Sequence, residues 1–226
     1  MSHAPRLLST GNAPLDHALG GGLPAGSLVL VRADEGAGAT ELALCVLRAA
    51  VQRAAGARVL FLSATRSAAR IQREARELFD DEKAVSAIEC MTIGAQGTPE
   101  FPLDLHAGDV VVVESAASLA RALPAKDLAS RAQAMGELAQ TTGALVILLE
   151  TQGTLPPVVA ATLGEMCDGL LLLRWREGST MRRRVLEVVK RCGLIGGAGD
   201  GDEIPVYEVG VRRGSGFSVS QVTNVL

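Results

Sequence analysis

The chain has 226 residues, roughly the size of one large domain, which is enough to bury a substantial core. Lys and Arg (22) are outnumbered by Asp and Glu (25), and the formal net charge of −3 argues against nucleic acid as the partner, because binding a phosphate backbone normally requires a basic excess. Apolar residues make up 48% and aromatic residues 3%, which excludes intrinsic disorder and aromatic stacking platforms for single strands.

The first two thirds of the chain alternate short apolar runs with longer stretches of helical periodicity. This pattern is typical of an α/β protein with a mostly parallel sheet flanked by helices. The predicted strands are 27–32, 58–63, 109–114 and 144–150, and the predicted helices are 40–55, 67–79 and 126–142. The DVVVVE run at 109–114 is typical of a central strand buried on both faces.

The last quarter of the chain has a different pattern. Strand-like runs at 169–175, 182–190, 204–211 and 216–222 are separated by Gly-rich turns. We expect antiparallel hairpins attached to one edge of the sheet. No linker or repeat divides the sequence, so we predict a single domain over 1–226, comprising an N-terminal segment (1–26), a P-loop core (27–167) and C-terminal hairpins (168–226).

A Gly-rich turn joins the first predicted core strand to its helix, with the sequence ADEGAGAT at 33–40. A phosphate-binding P-loop reads G-x-x-x-x-G-K-[ST], because glycines let backbone N–H groups surround the phosphates, the lysine reaches their outer oxygens, and the hydroxyl holds magnesium. Gly38 and Thr40 stand in the expected places, with Gly36 inside the loop. Ala33 replaces the first glycine and Ala39 replaces the lysine.

The loss of the lysine has a predictable energetic effect. A charged hydrogen bond contributes on the order of 1.5–3 kcal/mol, so triphosphate binding should weaken by about one to two orders of magnitude. Asp34 and Glu35 would also repel an anion. One interpretation is a P-loop shape kept only because the fold needs the turn, and the other is a weak anion site formed by backbone donors and the helix N-terminus over 36–40.

Several phrases of the sequence resemble a known family. LSTGN at 8–12, LD at 15–16, LGGGLP at 19–24 and the loop itself are similar to the start of KaiC-like ATPases of the RecA superfamily. Within that group VLEVVK at 185–190 and GFSV at 216–219 look most like FlaH, the accessory RecA-fold protein of the archaellum motor. The resemblance covers nearly the whole chain except about 83–107, and it implies a RecA-like P-loop fold.

The resemblance also assigns roles to individual positions. Gly36, Ala37, Gly38, Ala39 and Thr40 would form a degenerate nucleotide-binding loop.

Metal and catalytic positions follow from the same resemblance. Thr40 and Glu114 would be weak magnesium ligands, Glu114 standing where an aspartate is usual. The catalytic acid that ends the second core strand in active members corresponds to Thr65, with Arg66 beside it, and neither is a carboxylate base.

Candidate sensor and interface residues complete the set. Gln152 corresponds best to the polar sensor after the fourth strand, with Thr151 as an equal candidate. In ring-forming relatives a Lys-x-Arg-Gly stretch reaches the neighbouring subunit's nucleotide. Here Lys190 is kept, Arg191 is one position early, and Cys192 takes the arginine's place.

These losses together predict a protein with an ATPase fold that is not an effective ATPase. Our leading hypothesis is an assembly or regulatory subunit, with no cofactor or only weakly bound ATP and magnesium, that forms a homo-oligomeric ring or docks on a motor ATPase or membrane platform protein of an archaellum-type complex. Alternatives are a nucleotide-sensing regulator without efficient hydrolysis, and a recombinase paralogue or RecA-fold subunit associated with nucleic acid.

Two further features concern location and metal. Four scattered cysteines without C-x-x-C spacing predict no zinc site and a reduced environment. No apolar run approaches the length of a membrane span. We expect a cytoplasmic protein that can also sit peripherally at a membrane complex.

Overall fold

A computed structural model describes residues 6–53, 56–92, 104–118, 125–178, 181–192 and 206–221. Within these ranges the strands are β1 (Leu7–Leu8), β2 (Leu23–Pro24), β3 (Leu28–Ala33), β4 (Val59–Ser63), β5 (Glu89–Thr92), β6 (Val110–Glu114), β7 (Leu145–Thr151), β8 (Gly169–Arg176), β9 (Arg183–Lys190), β10 (Val206–Arg212) and β11 (Gly216–Gln221). The helices are α1 (Ala13–Ala18), α2 (Ala39–Arg53), α3 (Ala68–Leu78), α4 (Glu82–Ser86), α5 (Ala125–Thr142) and α6 (Pro157–Met166).

Nine of the described strands form one sheet in the order β11-β10-β9-β8-β3-β7-β6-β4-β5. The six strands from β8 to β5 pair parallel to their neighbours, and β9, β10 and β11 continue the sheet as antiparallel strands. The α/β fold class predicted from the sequence is confirmed. Because the core strands are parallel, their carboxyl ends meet at one edge, where ligand sites of open α/β sheets lie.

Alternation along the strands divides the interior into two layers. On β3, Val29 and Val31 face a core that includes the buried side of α2, whereas Leu28 and Leu30 face a second core that includes α5. Strand β6 places alternate valines in the same two layers. The sheet is therefore covered on both faces, as its continuous apolar strands require.

The structure corrects the sequence-based elements in several places. β3 and β7 each lie one residue later than predicted, and α2 starts one residue earlier. Strand β8 pairs antiparallel with β9, as expected of a hairpin, but also parallel with β3, so it belongs to the core as well. Elements α4, β5 and α6 were not predicted: α4 and β5 are too short to show a period, and the apolar residues of α6 are not confined to one face.

Candidate functional site

A cleft of about 680 Å³ opens at the carboxyl edge of the parallel strands. The loop after β3, the first turn of α2, the segment after β4 and the end of β6 contribute to its walls. The cleft therefore lies where the sequence predicted a nucleotide site. Of the residues predicted for that site, Gly36, Gly38, Ala39, Thr40 and Glu114 line it, and Ala37, in the same loop, is fully buried.

The loop has a backbone that depends on two glycines. Gly36 and Gly38 have φ angles of +71° and +112°, a region that other L-residues rarely adopt. A Cβ at Gly38 would lie 3.3 Å from Cε2 of Phe217 on β11, whereas a Cβ at Gly36 would meet nothing within 4 Å. Backbone conformation thus requires both glycines, and packing against the C-terminal hairpin also requires Gly38.

An arginine occupies the middle of the predicted magnesium position. The Arg66 guanidinium donates from Nη2 to Thr40 Oγ1 at 3.1 Å and to Glu114 Oε1 at 2.5 Å, and from Nε to Glu114 Oε2 at 2.9 Å. Nη1 donates to Glu74 on α3. One cation therefore binds the loop hydroxyl and the carboxylate that sequence reasoning assigned to the metal.

A serine hydroxyl also donates to Glu114. The Ser63 hydroxyl donates to Glu114 Oε2 at 2.7 Å, and Ser63 Oγ in turn accepts from the Arg66 backbone N–H at 3.0 Å. The Arg66 and Glu114 side chains are only 13% and 14% exposed. A bidentate guanidinium–carboxylate pair of this kind, shielded from water, is among the strong ion pairs of proteins.

The lining of the cleft is predominantly acidic. Among the described residues the charged lining groups are three arginines, Arg66, Arg70 and Arg213, and seven acids, Asp34, Glu35, Glu41, Glu74, Glu77, Glu114 and Glu150. No lysine is among the described lining residues. Glu74, Glu77, Glu114 and Glu150 pair with arginines, so the arginines bind protein carboxylates and do not form the cationic clamp that stabilises phosphates.

The C-terminal hairpin holds the loop from outside. The Trp175 indole N–H donates to the Glu35 carbonyl at 3.0 Å, and Arg184 Nε donates to the Gly36 carbonyl at 3.1 Å. The Asp34 carboxylate accepts from the Trp175 backbone N–H at 2.9 Å. The Arg184 guanidinium also lies 4.6 Å from the indole centroid. The loop is thus fixed through its carbonyls by strands that follow it by about 140 residues.

A buried ion pair lies beside the loop. Arg32 Nε donates to Glu150 Oε2 at 2.9 Å, and the Glu150 side chain is 1% exposed. Burial raises the pKa of Glu150, and the hydrogen bond and charge of Arg32 oppose that rise only in part.

The predicted sensor and interface residues lie apart from the ion pair between Arg66 and Glu114. Gln152 is exposed after β7, and its backbone N–H donates to the Ala33 carbonyl at 2.7 Å, while the neighbouring Thr151 lines the cleft. Lys190 pairs with Leu170 at the amino edge of the sheet, opposite the cleft. Its Nζ donates to the carbonyls of Glu165 and Cys167 at the end of α6, and the half-buried Arg191 follows directly.

Magnesium and ATP do not fit these residues as they are arranged. Thr40 and Glu114 already bind a guanidinium, and Ala39 offers no cation to the outer phosphates. In the described ranges no group of three or more His, Cys, Asp or Glu side chains is arranged to hold a metal ion.

Sequence reasoning missed the role of Arg66. It noted only that this residue is no carboxylate base. It did not identify Glu74, Ser63 or Trp175 as part of the site. The signal available in the sequence was a charged residue three positions after the end of a core strand, at the edge where Thr40 and Glu114 were expected.

The fold is similar to those of two solved archaeal proteins. The KaiC-like protein PH0186 from Pyrococcus horikoshii OT3 matches with a TM-score of 0.74 and 18% identity, covering 96% of this chain and 100% of that one. The flagellar accessory protein FlaH from Methanocaldococcus jannaschii matches with a TM-score of 0.71 and 15% identity, covering 92% and 95%. The RecA-like fold with KaiC-like and FlaH-like resemblance is confirmed.

Two other comparisons bear on classification. No curated protein matches the sequence. No helix in the described ranges has the length and apolar character needed to cross a bilayer. The family of unknown function DUF7125 matches residues 7–194. Since that match spans most of the sequence, the chain belongs to this family, DUF7125.

Proposed function

We propose that this RecA-fold protein does not turn over ATP and acts as an assembly or regulatory subunit, in an archaellum-type motor complex. The observation that carries the proposal is Ala39 in the lysine position of a cleft with seven acidic and three basic described lining residues. Phosphoryl transfer depends on positioning and on stabilising charge, so a site with neither the lysine nor a catalytic acid at Thr65 should not catalyse it.

The proposed setting is supported by likeness of fold. FlaH, one of the similar structures, is described as a flagellar accessory protein. An accessory role needs binding surfaces and no turnover, which suits a cleft that lacks the phosphate clamp. We further propose that the chain forms homo-oligomers and binds a motor ATPase or membrane platform protein, and that catalysis belongs to that partner.

Calorimetry with ATP, with and without magnesium, together with a phosphate-release assay, tests the proposal. We expect no saturable binding at millimolar ATP and no turnover above background, and Thr40→Ala should change neither result. Magnesium-dependent turnover of about 1 per second, the lower end for phosphoryl-transfer enzymes, would overturn it.

A nucleotide sensor is the second candidate, and the loop conformation favours it. Gly36 and Gly38 keep positive φ angles, so the backbone retains a phosphate-loop turn before α2. Saturable ATP binding that is lost in Thr40→Ala, without turnover, would select this function over the first.

Co-purification tests the partner. The full chain, co-expressed with an archaellum-type motor ATPase and its platform protein, should be retained by the tagged motor at stoichiometric levels. Absence of retention, with the chain folded, would remove the archaellum setting and leave the catalytic part of the proposal standing.

A further inference from the structure

We infer that Arg66 is a built-in cation that takes the place of a divalent metal between α2, the helix that follows the P-loop, and strand β6. We further infer that it makes this site exclude metal ions. Thr40 Oγ1 and both Glu114 carboxylate oxygens accept hydrogen bonds from this one guanidinium. These oxygens are the groups that would otherwise bind magnesium.

The chemistry of the two cations explains why they compete for one position. Magnesium demands oxygen ligands in close octahedral geometry, and a guanidinium offers a planar fork of N–H donors that matches a carboxylate bidentately. Both cannot occupy the space between Thr40 and Glu114. The arginine is covalently attached, whereas a metal must be recruited from solution and stripped of water.

The surroundings hold Arg66 in this position. Glu74 on α3 accepts from Nη1, and Glu74 is itself fixed by Arg70 Nε at 3.0 Å. The Arg66 backbone N–H is anchored by Ser63, and the guanidinium carbon lies 5.7 Å from the Phe61 ring centroid. These contacts tie α2, α3, β4 and β6 together through one side chain, without any ligand.

Arg66 makes this link permanent, whereas a metal and nucleotide would make it reversible. A ligand shifts a conformational equilibrium only by its differential affinity for two states. With Arg66 in place, α2 stays linked to β6 through the Arg66 hydrogen bonds to Thr40 and Glu114, whether or not magnesium is present. The inference is independent of turnover, because it concerns metal binding by the folded protein.

Mn²⁺ is a suitable probe because its unpaired electrons report binding directly by electron paramagnetic resonance. We expect the full-length wild-type chain to bind no Mn²⁺ saturably at millimolar concentration. Arg66→Ala should create a saturable site, at least about tenfold tighter than any residual binding, and Arg66→Ala combined with Glu114→Gln should lose it again.

Arg70→Ala is the matched control. Arg70 pairs with the same Glu74 but is 59% exposed and makes no described contact with Thr40 or Glu114. Its removal takes away one of the two arginines that bind Glu74 while Arg66 remains, so no Mn²⁺ site should appear. Circular dichroism establishes that each variant is folded, and Arg66→Gln serves as a second variant that keeps more of the side-chain volume.

Three outcomes would overturn the inference. One is saturable Mn²⁺ binding by the wild-type chain that is lost in Glu114→Gln, since Arg66 would then yield its place. Another is a folded Arg66→Ala or Arg66→Gln variant that binds no Mn²⁺. The third is a Mn²⁺ site gained equally in Arg70→Ala. If neither Arg66 variant folds, the wild-type titration alone supports or rejects the inference.

Discussion

Two of the residues that distinguish this site from a working phosphate clamp act in opposite directions. Ala39 removes a positive charge from the point where outer phosphate oxygens would be bound. Arg66 adds a positive charge where a metal would lie, and Thr40 and Glu114 accept its hydrogen bonds. The site therefore lacks the cation that would contact a ligand and has instead a cation that contacts protein groups.

The substitution Ala39→Lys should restore saturable ATP binding, with a gain of about tenfold or more over wild type, because one charged hydrogen bond to phosphate is regained. Since Arg66 still binds Thr40 and Glu114, the regained binding should be independent of magnesium. Calorimetry with and without EDTA measures both effects.

Ala39→Met is the control for Ala39→Lys, because it lengthens the side chain without adding charge. Binding by the methionine variant would show that charge is not the cause. No binding by the lysine variant would mean that the carboxylates of Asp34 and Glu35 and the other lining acids dominate the cleft.

Glu150 gives a pH-dependent prediction. Burial raises its pKa above the ordinary value of 4.5, so the carboxyl group ionises less readily in the folded state than in the unfolded state. The stabilisation from this group is complete below the unfolded-state pKa and is lost as pH rises through the folded-state pKa. The free energy of unfolding of wild type minus that of Glu150→Gln should therefore fall as the pH rises above the ordinary pKa of 4.5.

Urea denaturation of both proteins at each pH measures this difference. A difference that rises with pH would mean that the pairing of Glu150 with Arg32 outweighs the cost of burial and depresses the pKa. Such a result would make the pair a net stabilising contact of the sheet edge at neutral pH.

At the scale of elements, the P-loop turn is held by the C-terminal hairpin as well as by its own glycines. Strand β8 carries Trp175, whose indole binds the Glu35 carbonyl, and β9 carries Arg184, which binds the Gly36 carbonyl. Phe217 of β11 covers Gly38. Strands β8, β9 and β11 thus hold the loop in a conformation that bound phosphate groups would otherwise help to stabilise.

Trp175→Phe should loosen the loop while keeping an aromatic ring at this position. The lost hydrogen bond contributes about 1 kcal/mol, so amide hydrogen exchange over 34–38 should accelerate about fivefold. Exchange in α5, on the opposite face of the sheet, should not change. Mass-spectrometric exchange measurements resolve both segments.

Arg182→Ala is the matched control for this prediction. The Arg182 guanidinium lies 5.4 Å from the same indole centroid and pairs with Glu177, but it has no described bond to the loop. Equal acceleration in both variants would show that the ring's position matters and the indole N–H bond does not.

At the scale of the whole molecule, stability and assembly should not depend on nucleotide. A ligand that binds only the folded state raises the melting temperature by mass action, and without binding no shift occurs. We expect millimolar ATP and magnesium to leave Tm unchanged within about 1 °C. Light scattering after size exclusion should give the same oligomeric mass in Mg·ATP and in EDTA.

A nucleotide-dependent mass would contradict the first proposed function and favour the sensor. The Mn²⁺ experiment on Arg66 would remain informative in that case, because metal exclusion and ATP binding are measured separately. The proposed function and the exclusion of metal by Arg66 can therefore fail independently, and the measurements show which of the two has failed.

Much of the fold could be predicted from the sequence because its signals are local. The valine run of β6 and the apolar run of β3 identify buried parallel strands, and Gly36, Gly38 and Thr40 identify the turn before α2. Helix α4 and strand β5 escaped prediction, since elements of four or five residues show too few turns or alternations to establish a period. The pairing of β8 with β3 could not be read from apolar content alone.

The sequence by itself determined the α/β fold class, the loop and the absence of its lysine, because periodicity, glycine and charge act at the residues where they stand. Only the tertiary structure decided what replaces the metal. Arg66 is 26 residues from Thr40 and 48 from Glu114, and its role exists because β6 and β4 are neighbouring parallel strands whose carboxyl ends meet beside α2. Linear spacing carries no information about that meeting, since sheet order is set by long-range packing and not by sequence neighbours.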